Sequence, residues 1–563
     1  MRDGISAITA RAARNTYNLA VVAHFLPFRR CIRQTRAVFV ILFTLILACT
    51  LRLPGQGISP DAASAGKNRI LLVLPFDNGT AQLNLEWIRE AAPAILDARF
   101  ASAGFAPMSR PDRMYALDHL GLPQQFQPSR ASALKLAQTL DVDSIIVGSY
   151  RLEGTSIVAE ARVLSVLRLR MSDAVMARGE MKDLVAIFDS LAWRLTRIMD
   201  PGFSVAQDTF LAAGANLRLD AFEQYIRGIS EPDQQERARH LKKSVELSPN
   251  FGPAWMALGR EDFNAQKYEE AAASFAHVSP NDPEALESSF YRGLSLLYFG
   301  AYPQAQEAFA SVARELPLAE VLNNEGVAVS RQGKDGTSLF VQAAAADPNA
   351  ADYHFNLAVS LKRHGSSANA SNELAQTLKL RPTDSEAQKL LAAWKAPGAA
   401  VGDSDAETLE RIIRTFDAGA FKQAAQVMDS MEAARLAALP AHARAVKLAG
   451  RAKEYFNRGL LLEAERLYQS AVVDDNRLAE AHAGLAAVRE RTGDSASARK
   501  EANEALQISP SADAYLVLGR LDIAANHMDD ASREVGEALR LEPASRAAQE
   551  LHRQIELRTG KNQ

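Results

Sequence analysis

Residues 252–283 read GPAWMALGREDFNAQKYEEAAASFAHVSPNDP, and their punctuation returns 34 residues later. Pro249, Pro283 and Pro317 keep that interval, while Gly259 is matched by Gly293, Ala271 by Ala305 and Phe275 by Phe309. Each position has a physical role. Small residues such as Gly259 and Ala271 let two antiparallel helices approach closely. The aromatic four residues after the alanine lies on the same helix face and fills the gap between them. Proline ends the second helix, because it has no N–H to give and clashes with the preceding turn. Such a pair cannot bury its apolar face alone, so neighbouring pairs must stack.

Outward from this stretch the pattern continues in both directions. Pro348 and Pro382 are again 34 apart, with Leu357, Ala358 and Ala370 in register, and the unit holding Gly326 and Phe340 is about two residues short. After a break at residues 397–402, Ala464, Tyr468 and Ala471 are followed by Ala498, Ala502 and Ala505, each displaced by 34. Pro510 and Pro543 close the last two units, and the more polar helix 546–557 suits a cap. About nine units can be counted, those at 219–250 and 405–440 being degenerate.

The form W-x-x-L-G…A-x-x-x-F…P, carried by Trp255, Leu258, Gly259, Ala271, Phe275 and Pro283, resembles the tetratricopeptide repeat (TPR). The resemblance covers over half the chain and implies a superhelix with a concave groove that binds protein partners. In its register the inner-face positions of the first helices are Met256, Arg260, Phe263, Phe290, Leu294, Tyr298, Asn323, Asn324, Phe355 and Asn356. The family's carboxylate clamp needs lysines at such places, and they are missing here. Aromatics with a few asparagines better suit an extended apolar segment whose backbone the amides bond; the alternative is that the aromatics simply pack between helices. If the inner face is open, Phe290, Asn323 and Asn356 can be changed to alanine with loss of partner capture and little change in melting.

Before the repeats, Arg29, Arg30, Arg33 and Arg36 precede an unbroken apolar run at 37–51. That order marks a secretory signal or a membrane anchor. At 15 residues the run is short for a full span. Cleavage near Ala63-Ser64-Ala65, lipidation of Cys49 in Ile46-Leu47-Ala48-Cys49, and an uncleaved anchor all remain open. Residues 52–67 read as a linker. Residues 69–76, RILLVLPF, then read as a buried strand. Helical patterns follow at 83–103 and 129–140, with Ser129 as N-cap, then a hairpin of 143–150 and 156–163 through Glu153-Gly154. A further strand within 167–177 and a helix at 181–199 complete a small α/β layer structure. "ILLVLPFDN" and "LAQTLDVDSIIVGSYRLEGTSIVAEARVL" resemble the periplasmic α/β domains of the TolB amino-terminal, curli-secretion and FlgO type. That resemblance implies an envelope assembly module without catalytic residues.

The expected organisation is thus mainly α: a TPR superhelix preceded by a small α/β domain and an N-terminal membrane or signal segment. It runs as a basic leader (1–36), the apolar segment (37–51), a linker (52–67), the α/β domain (68–200), a linker (201–218), a first array (219–397), a linker (398–404) and a second array with its cap (405–563). Net charge is −3, with 64 basic and 67 acidic side chains, which gives no general attraction to nucleic acid. Cysteine occurs only at Cys31 and Cys49, excluding disulfides, cysteine-based zinc sites and thiol nucleophiles from everything that follows. There is no phosphate loop, no His-Glu-x-x-His and no Gly-x-Ser-x-Gly, so neither metal, cofactor nor enzymatic chemistry is expected. The leading expectation is an envelope-anchored scaffold joining protein partners. The alternative is a sensor whose α/β domain binds a small ligand and signals through the repeats.

Overall fold

The computed structural model describes residues 70–123, 130–212, 217–395, 409–417, 427 and 431–559. The apolar run 37–51, Cys49 and the proposed cap Ser129 lie outside them. Among the described residues no helix is long and apolar enough to cross a membrane. The described residues fall into two compact units: those between 255 and 423, and those of 64–254 together with 424–563.

The second unit opens with a mixed sheet. Its strands are β1 (Ile70–Val73), β2 (Asp77–Asn78), β3 (Ala106–Pro107), β4 (Ser144–Glu153), β5 (Ser156–Ser165), β6 (Arg170–Met171) and β7 (Val175–Glu180). The order is β3-β1-β4-β5-β6, with β2 on β4 and β7 on β5. β1 runs parallel to β3 and β4, whereas β4 and β5 are antiparallel and turn at Gly154, whose φ of 64° suits glycine. The apolar run of β1 has a simple cause: both faces of the sheet are covered. Leu71 and Val73 face α1 (Ile88–Ser102), while Leu72 and Leu74 face α2 (Arg110–His119) and α3 (Arg130–Leu140). The first face is shared with α4 (Leu184–Met199). Pro93 inside α1 cannot donate to the Arg89 carbonyl, which instead accepts the Phe76 N–H at 3.1 Å.

Several expected boundaries move. The helix expected from residue 83 begins as a 3-10 turn at Leu83–Leu85 and becomes α-helical at Ile88. The strand expected within 167–177 is the two-residue β6, and the longer β7 starts only at Val175 and runs on to Glu180; Leu167 and Leu169 are exposed in the turn before β6. Residues 201–218, read as a linker, contain α5 (Gln207–Ala212), and Phe203, Val205 and Phe210 are buried in the α/β core. The pair α6 (Leu219–Ser230) and α7 (Gln234–Leu247), assigned to the first array, sends Phe222 and Ile226 into that same core, with Phe222 edge-on to Trp87.

Buried in α4, Asp189 pairs with Arg99 at 2.7 Å. Burial pushes its carboxyl up to about 6, despite the opposing Arg99 charge. A raised folded-state value adds stability that is full below the unfolded carboxyl's 3.8 and lost as pH rises through about 6. Melting should therefore fall between about pH 4 and pH 6, and Asp189→Asn should flatten that slope. Thermal melts in both buffers check it, and an unchanged slope in the variant rejects the assignment.

The first unit holds α8 (Gly252–Asn264), α9 (Tyr268–Ala276), α10 (Ala285–Phe299), α11 (Tyr302–Glu315), α12 (Ala319–Arg331), α13 (Thr337–Ala346), α14 (Ala351–Arg363), α15 (Ser367–Leu380) and α16 (Ser385–Lys395). Successive helices pair as the repeat predicts. A Cβ on Gly259 would stand 2.7 Å from the Phe275 ring, and one on Gly293 would stand 2.8 Å from Phe309. The short unit keeps the device, with Gly326 at 2.8 Å from Phe340.

In the second unit, α17 (Ala441–Asn457), α18 (Leu461–Asp474), α19 (Ala479–Arg491), α20 (Ser495–Ile508), α21 (Ala512–Ala524), α22 (Met528–Leu541) and α23 (Arg546–Thr559) form the second array. It is joined to the α/β core. Leu462 enters that core, Arg466 donates to the Ser102 carbonyl at 2.9 Å, and Gln469 donates to the Ser204 carbonyl at 3.1 Å. Within the stretch from residue 405 that was expected to open this array, the described residues 409–417 carry no helix, while residues 427 and 431–437 are helical.

Candidate functional site: an occupied peptide groove

Helices α12 and α14 place three asparagine side chains, all fully buried, along one groove of the first unit. Asn323 and Asn356 are 33 residues apart, one repeat, and Asn356 Nδ2 donates to Asn323 Oδ1 at 2.7 Å. What buries these amides is the chain itself. Residues 409–417, LERIIRTFD, cross the groove without helix or strand of their own.

The amides read the backbone of that segment at alternate residues. Asn356 accepts the Arg411 N–H on Oδ1 at 2.6 Å and donates from Nδ2 to the Arg411 carbonyl at 2.7 Å. Asn323 adds a second donor to that carbonyl at 3.1 Å. Asn324 repeats the arrangement two residues on, accepting the Ile413 N–H at 2.9 Å and donating to the Ile413 carbonyl at 2.7 Å. An extended chain presents its N–H and C=O to the same side every second residue, so this spacing requires an extended ligand. Farther along, Glu320 accepts the Asp417 N–H at 3.0 Å. Burial raises the Glu320 carboxyl above its ordinary range, and that backbone N–H works against the shift.

Side chains then read the side chains. The Arg411 guanidinium stacks 3.6 Å above the Phe355 ring. It also bonds Asp352 at 2.9 Å, Asp384 at 2.7 and 2.9 Å, and Glu386 at 2.7 Å. Burial opposes the Arg411 charge, but bonds to these carboxylates outweigh it and raise its pKa further. Arg411, in turn, holds Asp384 below the usual carboxylate range. Glu410 meets Ser330 and Arg363, with Arg331 at 3.7 Å. Ile412, Ile413 and Phe416 pack against the apolar core of the unit, Phe416 lying 5.3 Å from Phe290. Arg414 lies over Phe263 and Tyr298 at 5.6 and 5.4 Å.

Of the residues named from sequence, Phe263, Phe290, Tyr298, Asn323, Asn324, Phe355 and Asn356 are thereby brought together on one segment. The other three stand elsewhere. Met256 and Leu294 are buried in the core, and Arg260 pairs with Glu287 at 2.6 Å. The two readings of the aromatics both apply, since Phe290 packs on Phe309 and on Phe416. The expectation that Phe290, Asn323 and Asn356 lie open, so that alanine leaves melting unchanged, is corrected: all three are fully buried. Sequence reasoning missed the carboxylates Asp352, Asp384 and Glu386, and it missed Ser330, Arg331, Arg363 and the occupant. Among the described residues no cluster of His, Cys, Asp or Glu could hold a metal ion.

No protein-family model matches the chain, and no curated protein matches it. Among solved structures it is similar to MamA, residues 41 to the end, from Desulfovibrio magneticus RS-1. Identity is 20% over 32% of this chain and 100% of that one, with a TM-score of 0.27. YrrB, titled a TPR protein with an unusual peptide-binding site, is 15% identical over 36% of this chain and 98% of its own, at a TM-score of 0.27. The LpoB C-terminal domain from Escherichia coli is 20% identical over 20% of this chain and 84% of its own, at 0.18. TPR proteins thus stand among the structural neighbours, while the helix pairs and their glycine–aromatic contacts carry the repeat reading on their own.

Proposed function

We propose that the protein is a non-enzymatic scaffold of the bacterial envelope, whose first helical array binds extended segments of protein partners. The observation that carries this reading is the bonding of Arg411 and Ile413 through both backbone groups by Asn356 and Asn324. Side-chain amides that satisfy a backbone need an extended chain, whatever its origin. The envelope location is supported by the arginines at 29, 30, 33 and 36 ahead of the apolar run 37–51, which would hold the N-terminus to the membrane or direct export. Cys49 is the residue that would carry a lipid. The α/β domain and the second array are joined to each other through Leu462, Arg466 and Gln469. No affinity for nucleic acid belongs to this reading.

Fractionation followed by affinity capture tests it. The full chain should be found with membranes or periplasm and should retain a defined set of proteins. Deletion of 37–51 should move it to the cytosol and lose that set. A full-length protein recovered only from the cytosol would remove the envelope role.

A further inference from the structure

We infer that residues 409–417 are a tethered stand-in for the groove's ligand, and that the partner is a segment of another protein presenting the same chemistry: a carboxylate, then an arginine, two branched aliphatics and, five residues after the arginine, an aromatic. This deepens the scaffold reading and rests on it. Three observations support a replaceable occupant over a fixed part of the core. First, both backbone groups of Arg411 and Ile413 are satisfied by side chains from inner-face helix positions. Second, the array is packed beneath the segment by its own pairs, Phe275 on Gly259, Phe309 on Gly293 and Phe340 on Gly326, so the segment closes no helix pair. Third, Ile412, Ile413 and Phe416 are only half-buried, and Arg414, Thr415 and Asp417 are exposed. If the segment left, Asn323, Asn324 and Asn356 would face water in an open groove, which satisfies their amides.

The side-chain pockets define the partner. Position 411 is walled by Asp352, Asp384 and Glu386 and floored by the Phe355 ring. Three carboxylates around an aromatic face select a planar guanidinium, which bonds in a fork and stacks at once; an ammonium cannot do both. Position 410 meets Ser330, Arg331 and Arg363, which select a carboxylate. An adjacent acid–arginine pair is therefore the recognition key, and the Phe290 site for the aromatic sets the distance.

A segment on the same chain competes at an effective concentration of about 1 mM, so against an intrinsic Kd of about 10 µM it weakens an outside ligand's apparent affinity about 100-fold. Release of the segment should restore that affinity. Arg411→Glu does so by setting a fourth carboxylate among Asp352, Asp384 and Glu386.

The test uses the full chain and a fluorescent peptide of sequence LERIIRTFD, read by anisotropy. Arg411→Glu protein should bind the peptide about 30- to 100-fold more tightly than wild type. A peptide carrying Arg411→Lys should lose about tenfold of that binding. Arg411→Ala, which removes the attraction without adding repulsion, guards against a folding defect, with helicity followed by circular dichroism. Equal binding to wild type and both variants leaves the groove a peptide site but overturns the tethered stand-in. Absence of binding to either folded variant overturns the stand-in and the groove reading together. Dimerisation of wild type that is lost in Arg411→Glu would show the segment exchanging between copies, and would overturn another protein as the source.

Discussion

Phe309→Ala should destabilise the first unit by about 3–5 kcal/mol, the range for truncating a buried aromatic that leaves a cavity. The ring is fully buried, fills the space left by the absent side chain of Gly293, and meets Phe290 edge-on at 5.7 Å. Nothing small can replace it, because α10 and α11 are spaced by the ring itself. The reverse change is also costly. Gly293→Ala puts a Cβ at 2.8 Å from the ring, and overpacking of this kind costs about 1–3 kcal/mol. The two changes touch the same space, so Gly293→Ala with Phe309→Leu should cost less than the sum of the singles. Urea denaturation followed by circular dichroism gives the magnitudes. Hydrogen exchange should show the loss centred on α10 and α11 and reaching α9 and α12, since each helical pair in a repeat array contacts only its neighbours. A loss below about 1 kcal/mol for Phe309→Ala would mean that the pairs are not built on this contact.

The same contact explains why the arrays were legible in sequence. Gly259 and Phe275, then Gly293 and Phe309, recur at a fixed interval because a missing side chain and a large ring are two halves of one packing solution. Where the unit shortens, Gly326 still meets Phe340, so the device survives a change in spacing that blurs the period. In the second array the aromatic that meets Gly484 is Tyr468, from the preceding helix, and at Gly519 the partner is Val535. The glycines there no longer announce the pairs. In the α/β part, β1 was legible because an apolar run covered on both faces has few other uses. β7, VMARGE, was displaced because it alternates half-buried and exposed residues with little apolar content. Phe203, Val205 and Phe210 were read as linker because they follow Pro201 and Gly202, whereas their burial is decided by a core far away in sequence.

The groove was half legible. Asparagines at inner-face helix positions signal backbone recognition, since an amide can give and accept at once. The occupant was hidden by its own pattern. Leu409, Ile412, Ile413 and Phe416 stand at i, i+3, i+4 and i+7, the periodicity of an amphipathic helix, and the segment reads as a degenerate repeat. In the structure it is non-helical instead, because Asn324 and Asn356 satisfy the backbone groups of Ile413 and Arg411 that a helix would otherwise satisfy. Local periodicity states what a segment can do alone, and tertiary partners decide among the options. The carboxylates around Arg411 escaped notice for a related reason: Asp352, Asp384 and Glu386 look like ordinary surface acids until the arginine between them is placed.

Asn356→Leu should release the centre of that segment. Leucine keeps nearly the same volume in the buried position but can neither accept the Arg411 N–H nor donate to its carbonyl, bonds of 2.6 and 2.7 Å in the wild type. It also ends the 2.7 Å bond to Asn323. Leaving buried polar groups without partners costs about 1–3 kcal/mol each, and Asn323 still reaches the Arg411 carbonyl, so a total of about 2–4 kcal/mol is expected. The loss should fall on the segment first, because the helix pairs beneath it retain their own contacts. Hydrogen exchange reads this directly. The Arg411 amide should exchange about 30- to 1,000-fold faster in the variant, the factor that corresponds to 2–4 kcal/mol, while amides of α10 and α11 change little. Asn324→Leu should shift the effect to the Ile413 amide, whose partners are Asn324 Oδ1 and, for its carbonyl, Asn324 Nδ2. If the Arg411 amide is already unprotected in the wild type, the segment does not sit in the groove, and the partner chemistry drawn from it falls as well. If instead α12 and α14 lose protection together with the segment, the asparagines hold the array rather than a ligand, and the groove is part of the core.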